Sequence, residues 1–283
     1  AKEGITANFQ RDSKIKEVEQ TLKSIHERMM ELYHYNFPCF TDVKILKHSE
    51  MLNQFIQRMR DDLEESGIVR STVEWKQISE GISGNQGAGF FENLAFYNPR
   101  DDALYLSEEN AVNFPEKMLS VCAHELSEQL LFTILSHPAK SSLQSAAKLY
   151  LEGMKDRNAN KRQELLNIYI DAVFKTVFKE GCCEAIGLQV LRSMGLDYET
   201  EVASLEKELQ TGRSKCVDLL FYIENARIDT NGLEKDEMSH QVDDEQKLAK
   251  GVLRSSQVIK GVSYYLGYKI AKAVLEKYGI EGV

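Results

Sequence analysis

His124-Glu125-Leu126-Ser127-Glu128, at the centre of LSVCAHELSEQLLF (119–132), is the stretch on which the reading of this chain turns. It has the H-E-x-x-H form with glutamate in the last place. Residues i and i+4 of a helix share a face, so His124 and Glu128 can both reach one ion. The residue at i+1 points toward the water that such an ion activates, where a carboxylate serves as general base. Glu125 stands in that position.

The surrounding chain is long enough to give this helix a core to pack on. It has 283 residues, of which 42% are hydrophobic, so we expect a single domain over 1–283. A formal net charge of −9 argues against a broad nucleic-acid-binding face. No run approaches the roughly 18 consecutive apolar residues of a membrane span. Cys39, Cys122, Cys182, Cys183 and Cys216 are an odd, scattered set. They read as free, mostly buried thiols in a reducing compartment, so a cytoplasmic location is expected. The first 25 residues hold no apolar signal core, but the chain begins at Ala1, and export is expected if a leader was removed before it.

The pattern predicts an α+β, mostly α fold. A small N-terminal sheet with an edge hairpin falls in about 36–136, and a helical half follows over about 137–283. Residues 12–35 read as a charged amphipathic helix, with Ile15, Val18, Leu22, Ile25, Met29 and Leu32 or its neighbours at helical spacing. Strands are expected at 40–46 and 70–79, with a helix at 49–66 between them. Residues 81–89 (GISGNQGAG) lack the lysine of a phosphate loop and read as a plain loop. Phe90–Tyr97 and Ala103–Leu106 read as two strands around the turn Asn98-Pro99-Arg100-Asp101-Asp102. Pro115 starts the motif helix, which runs to about Ser136. The chain after Pro138 has no proline, which favours long helices near 139–154, 160–194, 197–211, 214–228, 243–256 and 258–278. Residues 229–245 read as an acidic loop.

A hydrolytic metal centre needs a third protein ligand and an open position for water. The best candidate is Glu180, on a predicted helix, with Gly181 next to it to let another helix approach. Glu184, one turn further on, can add an oxygen ligand or orient one. The remaining histidines offer less. His240 lies in a lone E-x-x-H spacing, which a di-iron bundle needs on two helices. No G-x-S-x-G nucleophile motif is present.

The order of these elements resembles the glutamate-zincins, the thermolysin-like metallopeptidase superfamily. The likeness rests on Ala95-Phe96-Tyr97-Asn98-Pro99 with Ala103-Leu104-Tyr105-Leu106, then His124-Glu125, then Glu180-Gly181, then Tyr264-Tyr265-Leu266-Gly267-Tyr268. It covers roughly residues 90–275. Two positions depart from the family pattern: Glu128 replaces the second histidine, and Cys183 stands where alanine is frequent. The resemblance implies a metal-dependent peptidase or related hydrolase acting on a peptide or protein substrate. His124, Glu128 and Glu180 would hold the ion and Glu125 would be the base. Tyr265 would donate to the oxyanion. The strand with Ala103 and Tyr105 would be the edge along which a peptide pairs.

Glu128 alters what such a site would do. One imidazole and two carboxylates leave a divalent ion neutral in its first shell. Bound water would then be less acidic than the pKa near 7 of a catalytic zinc site. Zinc remains the family's ion, while manganese, iron or calcium compete better at carboxylates. The alternative reading is a zincin-fold pseudo-protease that binds peptides or proteins without cleaving them. A third is a carboxylate site using iron or manganese for other chemistry.

Overall fold

The computed structural model describes residues 2–39, 42–65, 95–98, 100–109, 115–135, 146, 149, 158–196 and 266–282. Helix α1 spans Lys2–Tyr33. Its Val18, Leu22, Ile25, Met29 and Tyr33 form the buried stripe, with Tyr33, the neighbour of Leu32, in the last place. The helix ends at His34, whose φ of 59° is left-handed. His26 then holds the outgoing chain through Nε2 on the Phe37 carbonyl at 2.7 Å.

Strand β1 (Asp42–Leu46) leads into helix α2 (His48–Glu65). Strands β2 (Ala95–Asn98) and β3 (Ala103–Ser107) form the expected hairpin. They pair antiparallel, with Tyr97 opposite Leu104, while β1 pairs parallel with β3, Val43 opposite Leu104. The order is β1-β3-β2, so β3 is the central strand. This corrects the expectation that Ala103 and Tyr105 lie on a peptide-binding edge. Both ladders of β3 are occupied, and every one of its residues is buried. Alternate side chains point to opposite faces of a strand. Leu104 and Leu106 therefore join Ile45 in the main core, while Ala103 and Tyr105 cluster with Met51 of α2 and Phe96, on whose ring Tyr105 stacks.

The main core is built against three further helices. The motif helix, α3, spans Pro115–Leu135; α4 spans Ala159–Ser193; α5 spans Tyr268–Tyr278. Leu126 and Leu130 of α3, Ile186 and Val190 of α4, and Ala271 of α5 share one cluster with the α1 stripe and the sheet. Each fully buried side chain of that size stabilises the fold by about 1.5–3 kcal/mol. Asn158 caps α4, its Oδ1 accepting from the backbone N–H of Asn160 at 3.0 Å. No described helix is long and apolar enough to cross a membrane. The strand expected at 70–79, the loops at 81–89 and 229–245, and the helices expected at 197–256 lie outside the described residues.

Two glycines on α4 set how close its neighbours come. A Cβ on Gly187 would lie 3.1 Å from the Ala123 carbonyl carbon and 3.2 Å from the His124 nitrogen, so α4 and α3 touch backbone to backbone there. A Cβ on Gly181 would overlap the backbone of Gly267, just before α5. The close approach read from Glu180-Gly181 is therefore present, and the partner is the glycine of the Tyr264–Tyr268 stretch.

Gly181→Ala is expected to destabilise the fold by about 1–3 kcal/mol through this overlap. Gly187→Ala should cost less, because its neighbours need only give by tenths of an ångström. Urea denaturation of the two variants checks both the loss and the order. A second expectation concerns the hairpin turn, where Lys44 Nζ sits 2.6 Å from Asp101 Oδ2 and the Tyr105 hydroxyl donates to the same oxygen at 2.6 Å. Partial burial alone would raise the Asp101 carboxyl, but Lys44 and Tyr105 outweigh it and hold it below its usual 3.8. Stability from a depressed carboxyl is present above the unfolded-state pKa near 3.9 and fades as pH falls through the folded value. Asp101→Asn should thus cost up to about 1 kcal/mol at pH 7, the range of a partly exposed ion pair. The gap from wild type should close towards pH 2 in denaturation curves.

Candidate functional site

The contact of α3 with α4 at Gly187 brings the acidic turn of α4 opposite the motif. Glu180, Glu184 and Gly187 fall at i, i+4 and i+7 and so share one face. Where the glycine lets α4 close on His124, the two glutamates a turn or two earlier reach the imidazole. Glu184 Oε1 lies 2.9 Å from Nδ1, and Glu180 Oε2 lies 3.3 Å from Nε2. Burial disfavours the charged imidazole, but the Glu184 and Glu180 carboxylates overcome it and raise His124 well above its ordinary 6.5. The two carboxylates thus favour the protonated imidazole.

Glu128, one turn along α3, is buried, with 7% of its surface exposed. A buried carboxylate is costly unless it is paired. Its partner is Lys179, whose ammonium lies 2.8 Å from Glu128 Oε1 and 3.2 Å from Glu180 Oε1. Burial works against the charge on Lys179, yet the Glu180 and Glu128 carboxylates keep it protonated, with its pKa raised above the usual 10.5. One ammonium therefore bridges the two carboxylates expected to hold an ion. Lys179 was not legible as a site residue, because a lysine beside a glutamate on a helix reads as solvated charge. Cys183 is fully buried nearby. Burial first, and then the Glu180 carboxylate, push its thiol well above 9, so it is a neutral packing group. Cys39, Cys122 and Cys182 are likewise free thiols, and Cys216 lies outside the described residues.

Glu125 faces the sheet. Its Oε2 accepts the backbone N–H of Tyr97 at 3.1 Å. Arg58 of α2 donates to the Tyr97 carbonyl at 2.6 Å. In an antiparallel pair the N–H and C=O of a residue turn the same way. Both groups of Tyr97 thus point away from β3, and the outer edge of β2 faces the motif helix. Among the described strands the outer one beside the motif helix is Ala95–Asn98, not the strand of Ala103 and Tyr105. The Tyr97 phenol donates to Asp102 at 2.9 Å. Burial chiefly raises its pKa to about 12, with Asp102 adding to this and a Gln129 hydrogen bond opposing it. Sequence signals for this edge existed in the run Ala95-Phe96-Tyr97-Asn98 ahead of the turn; no local signal marked Arg58.

His124, Glu128, Glu180 and Glu184 are thus joined with Lys179 in one network, and Glu125 sits beside it against β2. Ala103 and Tyr105 are not part of it, and Tyr265 lies outside the described residues. The donor set can be tested against zinc. Bonds of about 2.0–2.1 Å in a tetrahedron leave two donors about 3.3 Å apart. The His124 Nε2–Glu180 Oε2 separation of 3.3 Å meets this value. The Nδ1–Glu184 contact has the form that an outer carboxylate would take beside a ligating histidine. Glu128 does not meet it while Lys179 holds its carboxylate. Among the described residues no three His, Cys, Asp or Glu side chains converge on one ion position. The described residues thus offer one donor pair at a spacing that a tetrahedral ion could use, with Glu128 held by Lys179.

Removing the carboxyl of Glu184 strips a buried imidazole of its Nδ1 partner. Glu184→Ala should cost about 1–3 kcal/mol of stability and Glu184→Gln less, since the amide oxygen can still accept. Urea denaturation of the metal-free proteins reads the difference. Comparison of the chain with family models, with curated proteins and with solved structures gives no match.

Proposed function

We propose that this chain is a metal-dependent peptidase or related hydrolase of the glutamate-zincin type. The observation that carries the reading is His124 itself, with Nε2 at ligand distance from Glu180 and Nδ1 fixed by Glu184. His124 and Glu180 would hold the ion, zinc or a harder divalent metal such as manganese or iron, and Glu128 would join them on leaving Lys179. The ion would supply Lewis-acid polarisation of a carbonyl and acidification of water. Glu125 is the only carboxylate of the group turned to the sheet edge, where it can take a proton from water and pass it to a leaving amine. The outer edge of β2 is where an extended peptide would align, pairing first beside Ala95, which turns its amide and carbonyl the same way as Tyr97. Pairing further along requires Glu125 and Arg58 to give up the Tyr97 backbone.

Loading has two costs, the Lys179 bridge and the proton favoured on His124, which must leave before Nε2 can bind an ion. Breaking the Lys179 bridge costs on the order of 3–5 kcal/mol, the usual loss for a buried ion pair. Binding of a structural zinc supplies about 10–16 kcal/mol with a full ligand set. An ion that starts with fewer ligands and displaces both groups binds more weakly than in an unobstructed site.

The second reading is a non-catalytic binding module, and the Lys179 bridge is what favours it. An ammonium already neutralises the carboxylates, so the fold is complete without an ion. The two readings separate on an unstructured protein substrate incubated with zinc or manganese. Wild type should show metal-stimulated cleavage that a chelator removes. Glu125→Gln should lose at least about 10²-fold in rate, the span of general acid–base catalysis, while still binding the ion. Cleavage that is independent of metal and of Glu125 would reject the hydrolase reading, and so would its absence.

A further inference from the structure

We propose that Lys179 is a built-in competitor for the metal: its ammonium fills the carboxylate pair Glu128–Glu180 and must withdraw for an ion to be held. The inference rests on the metal-site reading above and adds to it a device that sets how much ion the protein carries.

Three observations on separate elements support it. First, Lys179 is in contact with both carboxylates at once, at 2.8 Å to Glu128 on α3 and 3.2 Å to Glu180 on its own helix. A single positive charge thus takes the bridging place that an ion would need. Second, the bridge is sheltered, the side chains of Lys179 and Glu128 being only 14% and 9% exposed. Salt and water screen a sheltered pair weakly, so the competition persists at physiological ionic strength. Third, the His124 imidazole and the Lys179 ammonium divide the carboxylates between them. His124 meets Glu184 and one oxygen of Glu180, whereas Lys179 meets Glu128 and the other oxygen of Glu180. Glu180 is common to both and cannot serve an ion fully while it serves Lys179.

Like charges at this range repel, so ion and ammonium cannot share the pair at bonding distance. The chain therefore has two states of the same carboxylates. In one, Lys179 joins α3 to α4 and no ion is needed. In the other, Lys179 turns to solvent and the ion joins the helices. Glutamate at position 128 makes this possible, because a neutral histidine there would not attract the ammonium. Loading then needs a higher free-ion concentration than the donor set alone would dictate, because only the state with Lys179 withdrawn can take the ion.

The test is calorimetric titration of zinc and of manganese into metal-free wild type, Lys179→Met and Lys179→Arg, with His124→Ala as the ligand control. Lys179→Met is expected to bind at least tenfold more tightly than wild type, Lys179→Arg no more tightly than wild type, and His124→Ala far more weakly. A second measurement uses only the wild-type protein, in case Lys179→Met folds poorly. The rate of covalent amine labelling at Lys179, followed by mass spectrometry, should rise severalfold on adding zinc. Equal affinities in wild type and Lys179→Met, or zinc binding without any change in labelling, would overturn the competition and leave the metal-site reading standing. No binding by any of the four proteins would overturn both.

Discussion

The backbone contact of α3 and α4 at Gly187 is the constraint on which the rest of the site depends. Helix axes usually pack 8–10 Å apart, spaced by side chains. At Gly187 no side chain intervenes, and α4 comes down on Ala123 and the amide of His124. That fixes both the distance and the rotation of α4 about its own axis. Once rotation is fixed, the face at 180, 184 and 187 can only look at the motif helix. Gly181 then turns to Gly267, so the helix meets two neighbours through two glycines on adjacent faces. A side chain at position 181 would shift α4 and disturb the contacts of 2.8–3.3 Å across the network, and one at 187 would press on the same contact more mildly.

Much of this was legible because it is periodic. The α1 stripe, the motif helix and the long α4 are patterns of three and four. Their boundaries follow from proline at position 115 and Asn158 before Ala159. The pairing of His124 with Glu180 could be anticipated because both are sparse residue types with a chemical reason to meet. The strand order could not. β1 is separated from β3 by α2 and by residues outside the described set, and nothing local in Asp42–Leu46 says that it pairs parallel with Ala103–Ser107. One clue was available: Ala103-Leu104-Tyr105-Leu106 has little alternation of polar and apolar residues, as a strand buried on both faces should. An edge strand would alternate more. Reading the hairpin by its turn alone hid this and put the peptide edge one strand away.

Lys179 was illegible for a different reason. Helical periodicity assigns residues to faces only once one face is known, and the face of α4 is set by two glycines rather than by its apolar residues. Glu128 was visibly anomalous, but its partner could have been any cation in the chain. What decides the partner is burial. A carboxylate 7% exposed requires a compensating charge, and Lys179 is the cation that the glycine contact delivers. The substitution in the motif and the lysine before Glu180 are therefore one feature, two halves of an ion pair across the helix contact.

That pairing also bears on why the acidic cluster does not push the helices apart. Glu180 and Glu184 share a face of α4, and Glu128 stands across from them on α3. Without cations the group would repel itself and lose hydration together. Lys179 and the His124 imidazole, favoured in its protonated form, each link two elements or two carboxylates, so the charges that would open the contact close it. Here the compensation is covalently part of the chain. The metal-free fold is thereby made complete, and whatever ion the site takes must do better than a lysine already in place.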